Sequence, residues 1–251
     1  MISPIQRIES LRSYMKKDYC SKPFKIAVAM GDSVTAGGTA TQPELCWVAL
    51  LTKLLNEAQL EPIKMMNCGL SDDLLSKRSP AYAQSEKYSA LERYTKDVID
   101  KSPNLILLAY GLNDARAGTS IEEFIKNLRH IVLDVKEKTK GLILLVNVYF
   151  MLAFEKQPPF DQANLDSLLS FNEAINSLAI QCDVLYADVF EAQGIAPWMI
   201  DSDGIHLNNL GHQVTANRIF EVLAQNCSCL SQKALHLRNS FKPWRKDLVS
   251  S

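Results

Sequence analysis

No segment of this sequence is apolar over the roughly 20 residues that a membrane-spanning helix needs. The first residues, MISPIQRIESLRSYMKKDYC, hold no apolar stretch of signal-peptide length and are interrupted by Arg7, Glu9 and Arg12. A cytoplasmic location is the expectation. Excess charge of either sign is also missing, since 27 Lys and Arg against 28 Asp and Glu leave a formal net charge of −1. Such a balance offers no electrostatic footprint for nucleic acid or an anionic membrane surface, so the expected partner is a small molecule. Histidine is scarce, with four in 251 residues. No second His and carboxylate pair with ligand spacing accompanies them, so no metal site is expected. The six cysteines, Cys20, Cys46, Cys68, Cys182, Cys227 and Cys229, read as reduced and mostly buried thiols. Cys227-Ser-Cys229 lacks the neighbouring ligands that would make it a metal or redox motif.

What is present suits a packed core: 47% of the residues are hydrophobic and 22% charged. The length fits a single domain spanning 1–251, with a core over about 22–226 and a mildly basic, peripheral tail over 227–251. Short apolar runs alternate with amphipathic stretches. Strands are predicted at Phe24–Met30, Ile63–Asn67, Leu105–Tyr110, Leu142–Tyr149 and Val184–Asp188. Helices are predicted over Glu44–Leu60, Ser89–Asp100, 121–140, Leu165–Gln181 and Leu210–Gln225, the third opened by a Ser120/Glu123 capping box. LILLAY at 105–110 is apolar throughout, as a central strand of a parallel sheet must be. Strand and helix alternating five times imply a mostly parallel sheet with helices on both faces. Residues 150–164, with Pro158 and Pro159, are expected to form a long loop of the kind that is often functional.

In open α/β sheets ligands bind beyond the carboxyl ends of the strands. Polar clusters fall there: Gly31-Asp32-Ser33 after the first strand, Asn67-Cys68-Gly69-Leu70-Ser71-Asp72 after the second, and Gly111-Leu112-Asn113-Asp114 after the third. Asp203-Gly204-Ile205-His206 precedes the last helix. Ser33 is a candidate nucleophile, although a Gly-Asp-Ser corner is equally a helix cap. His206 has an aspartate three residues earlier, so Asp203 could orient the imidazole and stabilise its cation; an Asx-type turn would use the same residues. Asn113 could donate to an oxyanion, or belong to an ordinary turn. Asp114 reads as structural. His130 and His236 read as solvated, and His212 as structural.

Taken together, GDSVTAG, YGLNDAR and DGIHLNNLGH resemble the blocks of the SGNH hydrolases, also called the GDSL esterase/lipase family, in family order and across nearly the whole core. Val34 stands where the name motif has Leu. The resemblance implies a flavodoxin-like three-layer α/β/α sandwich with a five-stranded parallel sheet, and hydrolysis of esters or thioesters without cofactor or metal. It also implies Ser33 as nucleophile, Asp203 and His206 as the rest of the triad, and Asn113 with the Ser33 backbone N–H as oxyanion donors. The second block departs from the pattern, because Asp72 stands where the family has a glycine whose N–H also faces the oxyanion. Either Asp72 donates from its backbone with the carboxylate turned to solvent, or the loop shifts and Gly69 approaches. Arg116 could hold an anionic substrate group or form a salt bridge to a neighbouring loop. Trp198, and Tyr149 or Phe150, could line an acyl pocket or simply pack.

The function expected is hydrolysis of a carboxylic ester, of small-acyl or acetylated-sugar type, through an acyl-serine intermediate. O-acyl transfer by the same triad and a catalytically decayed binding module are the alternatives.

Overall fold

The structure, a computed structural model, describes residues 17–238. In chain order the elements that position the site are β1 (Ile26–Gly31), α1 (Ser33–Ala36), α2 (Trp47–Ala58), β2 (Lys64–Gly69), α3 (Tyr82–Ser85) and α4 (Ala90–Asp97). They continue with β3 (Leu105–Ala109), α5 (Leu112–Arg116), α6 (Ile121–Thr139), β4 (Leu142–Val146) and α7 (Leu165–Cys182). The series ends with β5 (Leu185–Ala187), α8 (Val189–Gln193), α9 (Asn209–Asn226) and α10 (Gln232–Arg238).

The five strands form one parallel sheet in the order β2-β1-β3-β4-β5. This is the doubly wound order with its switch point between β1 and β3. The strand sequences explain their places. Leu105–Leu108 of β3 and Ile143–Val146 of β4 are buried on both faces, whereas β2 at the sheet edge is Lys-Met-Met-Asn-Cys-Gly and only half covered. One helical layer joins α9 to α2 and α8, and the other joins α6 to α7 and α4. The α6 boundary follows its cap: Ser120 Oγ accepts the Glu123 N–H at 3.2 Å. The stripe Phe124, Leu128, Ile131, Val132 and Val135 then faces the core.

Four of the five strands are shorter than their apolar runs, while β2 extends past its run to Gly69. Phe24 and Tyr149 are buried yet lie outside the ladder, because burial and strand pairing are separate requirements and the apolar pattern reports only the first. Residues 150–164 form the long loop that the sequence predicts. The tail carries α10 packed near α2, and its basic residues Lys242, Arg245 and Lys246 lie outside the described residues. Among the described residues no helix is long and apolar enough to cross a membrane.

Candidate active site

The corner after β1 is built for close approach. A side chain at Gly31 would meet Thr35 Oγ1 at 2.3 Å and the Ala109 carbonyl at 2.5 Å. Asp32 caps α1, its Oδ1 accepting the Val34 N–H at 3.0 Å. Ser33 is thereby the first residue of the helix, where a backbone N–H has no acceptor within the helix itself. Burial pushes the Asp32 carboxyl up to about 6, against the pull of the Val34 amide and of His206.

His206 and Asp203 come from 173 and 170 residues away in sequence, on the turn between Met199 and α9. The turn is pinched by a bridge between Ile200 and Leu207 and by the Asp201 N–H donating to the His206 carbonyl at 2.8 Å. It is also clamped to the long loop, since the amides of Leu152 and Ala153 both donate to the Gly204 carbonyl at 2.8 Å. Tyr149 Oη donates to the Ile205 carbonyl at 3.0 Å. So held, His206 Nε2 lies 2.8 Å from Ser33 Oγ, and His206 Nδ1 lies 2.5 Å from Asp203 Oδ2. The other Asp203 oxygen accepts the amides of Ile205 at 2.7 Å and His206 at 2.9 Å. Burial raises the Asp203 carboxyl, but its hydrogen bonds to the His206 ring and to these two amides outweigh burial and hold it below the ordinary aspartate value. An ionised carboxylate behind an imidazole fixes the tautomer with Nδ1 protonated, leaving Nε2 free to take the serine proton.

Asn113 lies in the first turn of α5, buried, and its Nδ2 donates to the Asp73 carbonyl at 3.2 Å. One amide hydrogen is therefore used to anchor the side chain, and the second remains for another acceptor. The loop after β2 is tied to the corner that carries Ser33 by the Leu70 N–H donating to the Gly31 carbonyl at 3.0 Å. Asp72 on that loop is exposed and takes the left-handed conformation, φ 58°. Gly69 does not shift toward the site. It sits in the ladder opposite Gly31, its N–H donates to Asn67 Oδ1 at 2.9 Å, and a Cβ there would meet the Ala36 nitrogen at 2.0 Å.

Other expectations fare unevenly. Arg116 is buried and makes no salt bridge among the described residues; its Nη2 donates to the Lys156 carbonyl at 3.2 Å and to Gln157 Oε1 at 3.4 Å. It reaches the neighbouring loop, but through neutral acceptors. Trp198 is 68% exposed beside the His206 turn. Tyr149 and Phe150 are buried, so they pack beneath the turn rather than standing open to solvent. His212 is fully buried, its Nδ1 accepting the Trp47 N–H at 3.3 Å and its Nε2 lying 3.2 Å from the Gly38 carbonyl. Asp114 is buried with both oxygens facing the Leu75 amide. Among the described residues no group of three or more His, Cys, Asp or Glu could hold a metal ion.

Sequence reasoning missed the support beneath these loops. Arg93 on α4 donates to Asp73 Oδ2, to Asp97 at 2.7 Å, to the Cys68 and Gly31 carbonyls at 2.9 and 3.2 Å, and to Tyr110 Oη at 2.9 Å. Tyr110 Oη also donates to Asp73 Oδ2 at 2.6 Å. One guanidinium thus joins the ends of β1, β2 and β3 to the residue that anchors Asn113. Asn67 adds a strut, its Nδ2 donating to the Thr35 carbonyl at 2.7 Å.

Residues 29–214 match the model of the GDSL-like lipase/acylhydrolase family. Among solved structures, a catalytic mutant of Axe2, an acetylxylan esterase from Geobacillus stearothermophilus, superposes with a TM-score of 0.62 at 20% identity, covering 82% of this chain and 96% of that one. A lipase/acylhydrolase from Enterococcus faecalis gives 0.62 at 16% identity, covering 88% and 99%. TesA gives 0.62 at 20% identity, covering 79% and 98%. No curated protein sequence matches significantly.

Proposed function

This chain belongs to the GDSL-like lipase/acylhydrolase family, and from that premise we propose that it hydrolyses carboxylic esters through an acyl-serine intermediate at Ser33. The observation that carries the reading is the unbroken relay from Ser33 Oγ to His206 Nε2 at 2.8 Å and from His206 Nδ1 to Asp203 at 2.5 Å. His206 takes the hydroxyl proton as Ser33 Oγ attacks the carbonyl carbon. The resulting imidazolium is stabilised by the ionised Asp203 and then protonates the departing alcohol. Water, deprotonated by His206, attacks the acyl-serine, and His206 then returns that proton to Ser33 Oγ as the C–Oγ bond breaks and the acid leaves.

The tetrahedral oxyanion would be met by the backbone N–H of Ser33, the free hydrogen of the Asn113 amide and the backbone N–H of Asp72. Gly69 is the poorer candidate, since its amide is already donating to Asn67. The exposure of Asp72 supports a carboxylate turned to water, where it opposes the oxyanion little. A small acyl or acetylated-sugar ester is the substrate class we favour, in keeping with the acetylxylan esterase among the similar folds.

Ser33→Ala is expected to cut turnover of p-nitrophenyl acetate by roughly 10⁴-fold or more with the circular dichroism spectrum unchanged. A serine-reactive phosphonate should add to Ser33 in the wild type and not in the variant. Undiminished hydrolysis by Ser33→Ala would remove this residue from the reaction.

A further inference from the structure

We propose that Arg116 binds an anionic oxyacid group, a carboxylate or phosphate, carried by the ester substrate a few bonds from its reacting carbonyl. The inference rests on the acyl-serine reading above and names the substrate class for that same site. Arg116 follows Asn113 by three residues on α5, so both side chains project from the same face of the helix. The residue is only 4% exposed. A buried guanidinium ordinarily has a carboxylate against it, because an unpaired charge inside a protein is costly. Here none lies within ion-pair distance among the described residues, and the Nε–H is buried with no partner at all. The charged groups that act on it from a distance are Asp32, Asp72 and Asp203, together with the Tyr149 phenol. They belong to the nucleophile corner, the oxyanion loop, the triad turn and the segment beneath it, which places the guanidinium where those loops converge.

A second cation stands at the rim. Lys156 is exposed, makes no salt bridge among the described residues, and its Nζ donates to the Asp203 carbonyl at 3.3 Å. A planar fork with an unused Nε–H, together with an ammonium bonded to a neutral carbonyl, is complementary to two oxygens of one oxyacid. Bonds to the neutral Lys156 carbonyl and Gln157 amide, with the Phe160 ring 5.7 Å from the guanidinium, hold it in place without giving it a carboxylate partner. Holding the 150–164 loop is the competing role for Arg116, and it makes a different prediction.

The test compares kcat/KM for charged esters with that for neutral isosteres. On the acyl side, p-nitrophenyl hemisuccinate is set against its methyl ester. On the alcohol side, the acetyl esters of glycolate and of 2-hydroxyethyl phosphate are set against the acetyl ester of glycolamide. The wild type is expected to favour the charged member of at least one pair by about tenfold or more. Arg116→Gln should collapse that ratio mainly through KM, and Arg116→Lys should recover part of it. A wild-type ratio near one in every pair overturns the proposal without need of a variant. So does an Arg116→Gln protein in which charged and neutral esters suffer equally, the signature of a loop-holding role. If Ser33→Ala still turns over every ester, it is the acyl-serine reading that has failed instead.

Discussion

At Asp72 the backbone sits at φ 58°, a conformation that costs most L-residues about 1–2 kcal/mol and costs Asp and Asn less. Aspartate can therefore stand at this φ where a glycine is usual, and it keeps a backbone N–H. Asp72→Gly is expected to raise stability by up to about 1 kcal/mol, read from urea unfolding. Asp72→Val, β-branched and strained at this φ, should shift the loop. If the Asp72 amide faces the oxyanion, kcat for p-nitrophenyl acetate should then fall toward the 10²–10³-fold that loss of one such donor typically costs, as a rough guide. A destabilised Val variant with undiminished kcat would take the Asp72 amide out of the reaction. Asp72 was visible in the sequence as an anomaly. That it could be accommodated was not, because a residue's φ depends on what its neighbours allow.

Between elements, the decisive contact is Arg93 with Asp73, whose side chains are 10% and 0% exposed. Asp73 holds Asn113 through its carbonyl and is itself held through its carboxylate, so α4 sets the position of an amide on α5. Removing one partner of a buried pair costs roughly 3–5 kcal/mol. Asp73→Asn should lose stability on that scale and also lower kcat more than it raises KM, since it loosens the Asn113 anchor. Arg93→Lys should not restore either, because an ammonium cannot reach all five acceptors, three of them at strand ends. A stability loss with kcat untouched would show the network to be scaffolding only. Nothing local marks Arg93 in the sequence. It sits in Leu-Glu-Arg-Tyr-Thr-Lys-Asp, where charged residues of an amphipathic helix ordinarily face water, and only the approach of β1 and β2 turns this one inward. The elements themselves were legible. Apolar runs and the Ser120 cap are local signals, and their errors are confined to one to three residues at most ends.

For the molecule as a whole, three buried carboxyls lie beneath the active face: Asp32, Asp73 and Asp114. Asp114 makes no salt bridge among the described residues, and burial, with Asp73 and Asp32 adding repulsion, pushes it up to about 8 against the pull of the Leu75 amide. A carboxyl whose value is raised in the folded state binds its proton more tightly there. Its stabilising contribution is complete below the unfolded value near 4 and is lost as pH rises through about 8. Asp114→Asn keeps an acceptor for Leu75 and cannot titrate. The variant should therefore gain on the wild type as pH rises from 5 to 8, by at most about 1.4 kcal/mol per pH unit. A difference in unfolding free energy that stays constant over that range would show that Asp114 does not carry the effect.

By itself the sequence determined the alternation of strands and helices, the doubly buried β3 and the parallel sheet, since each rests on periodicity along the chain, while Ser33, Asn113, Asp203 and His206 were singled out by the resemblance of their blocks to the SGNH hydrolases. Only the tertiary structure decided that a ring 173 residues from Ser33 comes within 2.8 Å of its oxygen. It likewise decided that Arg93 joins the site loops, that Gly69 is committed to packing, and that Arg116 is buried with no counter-ion among the described residues. The reason is the same in each case: burial, pairing and distance are properties of segments brought together by packing, and no single segment carries them.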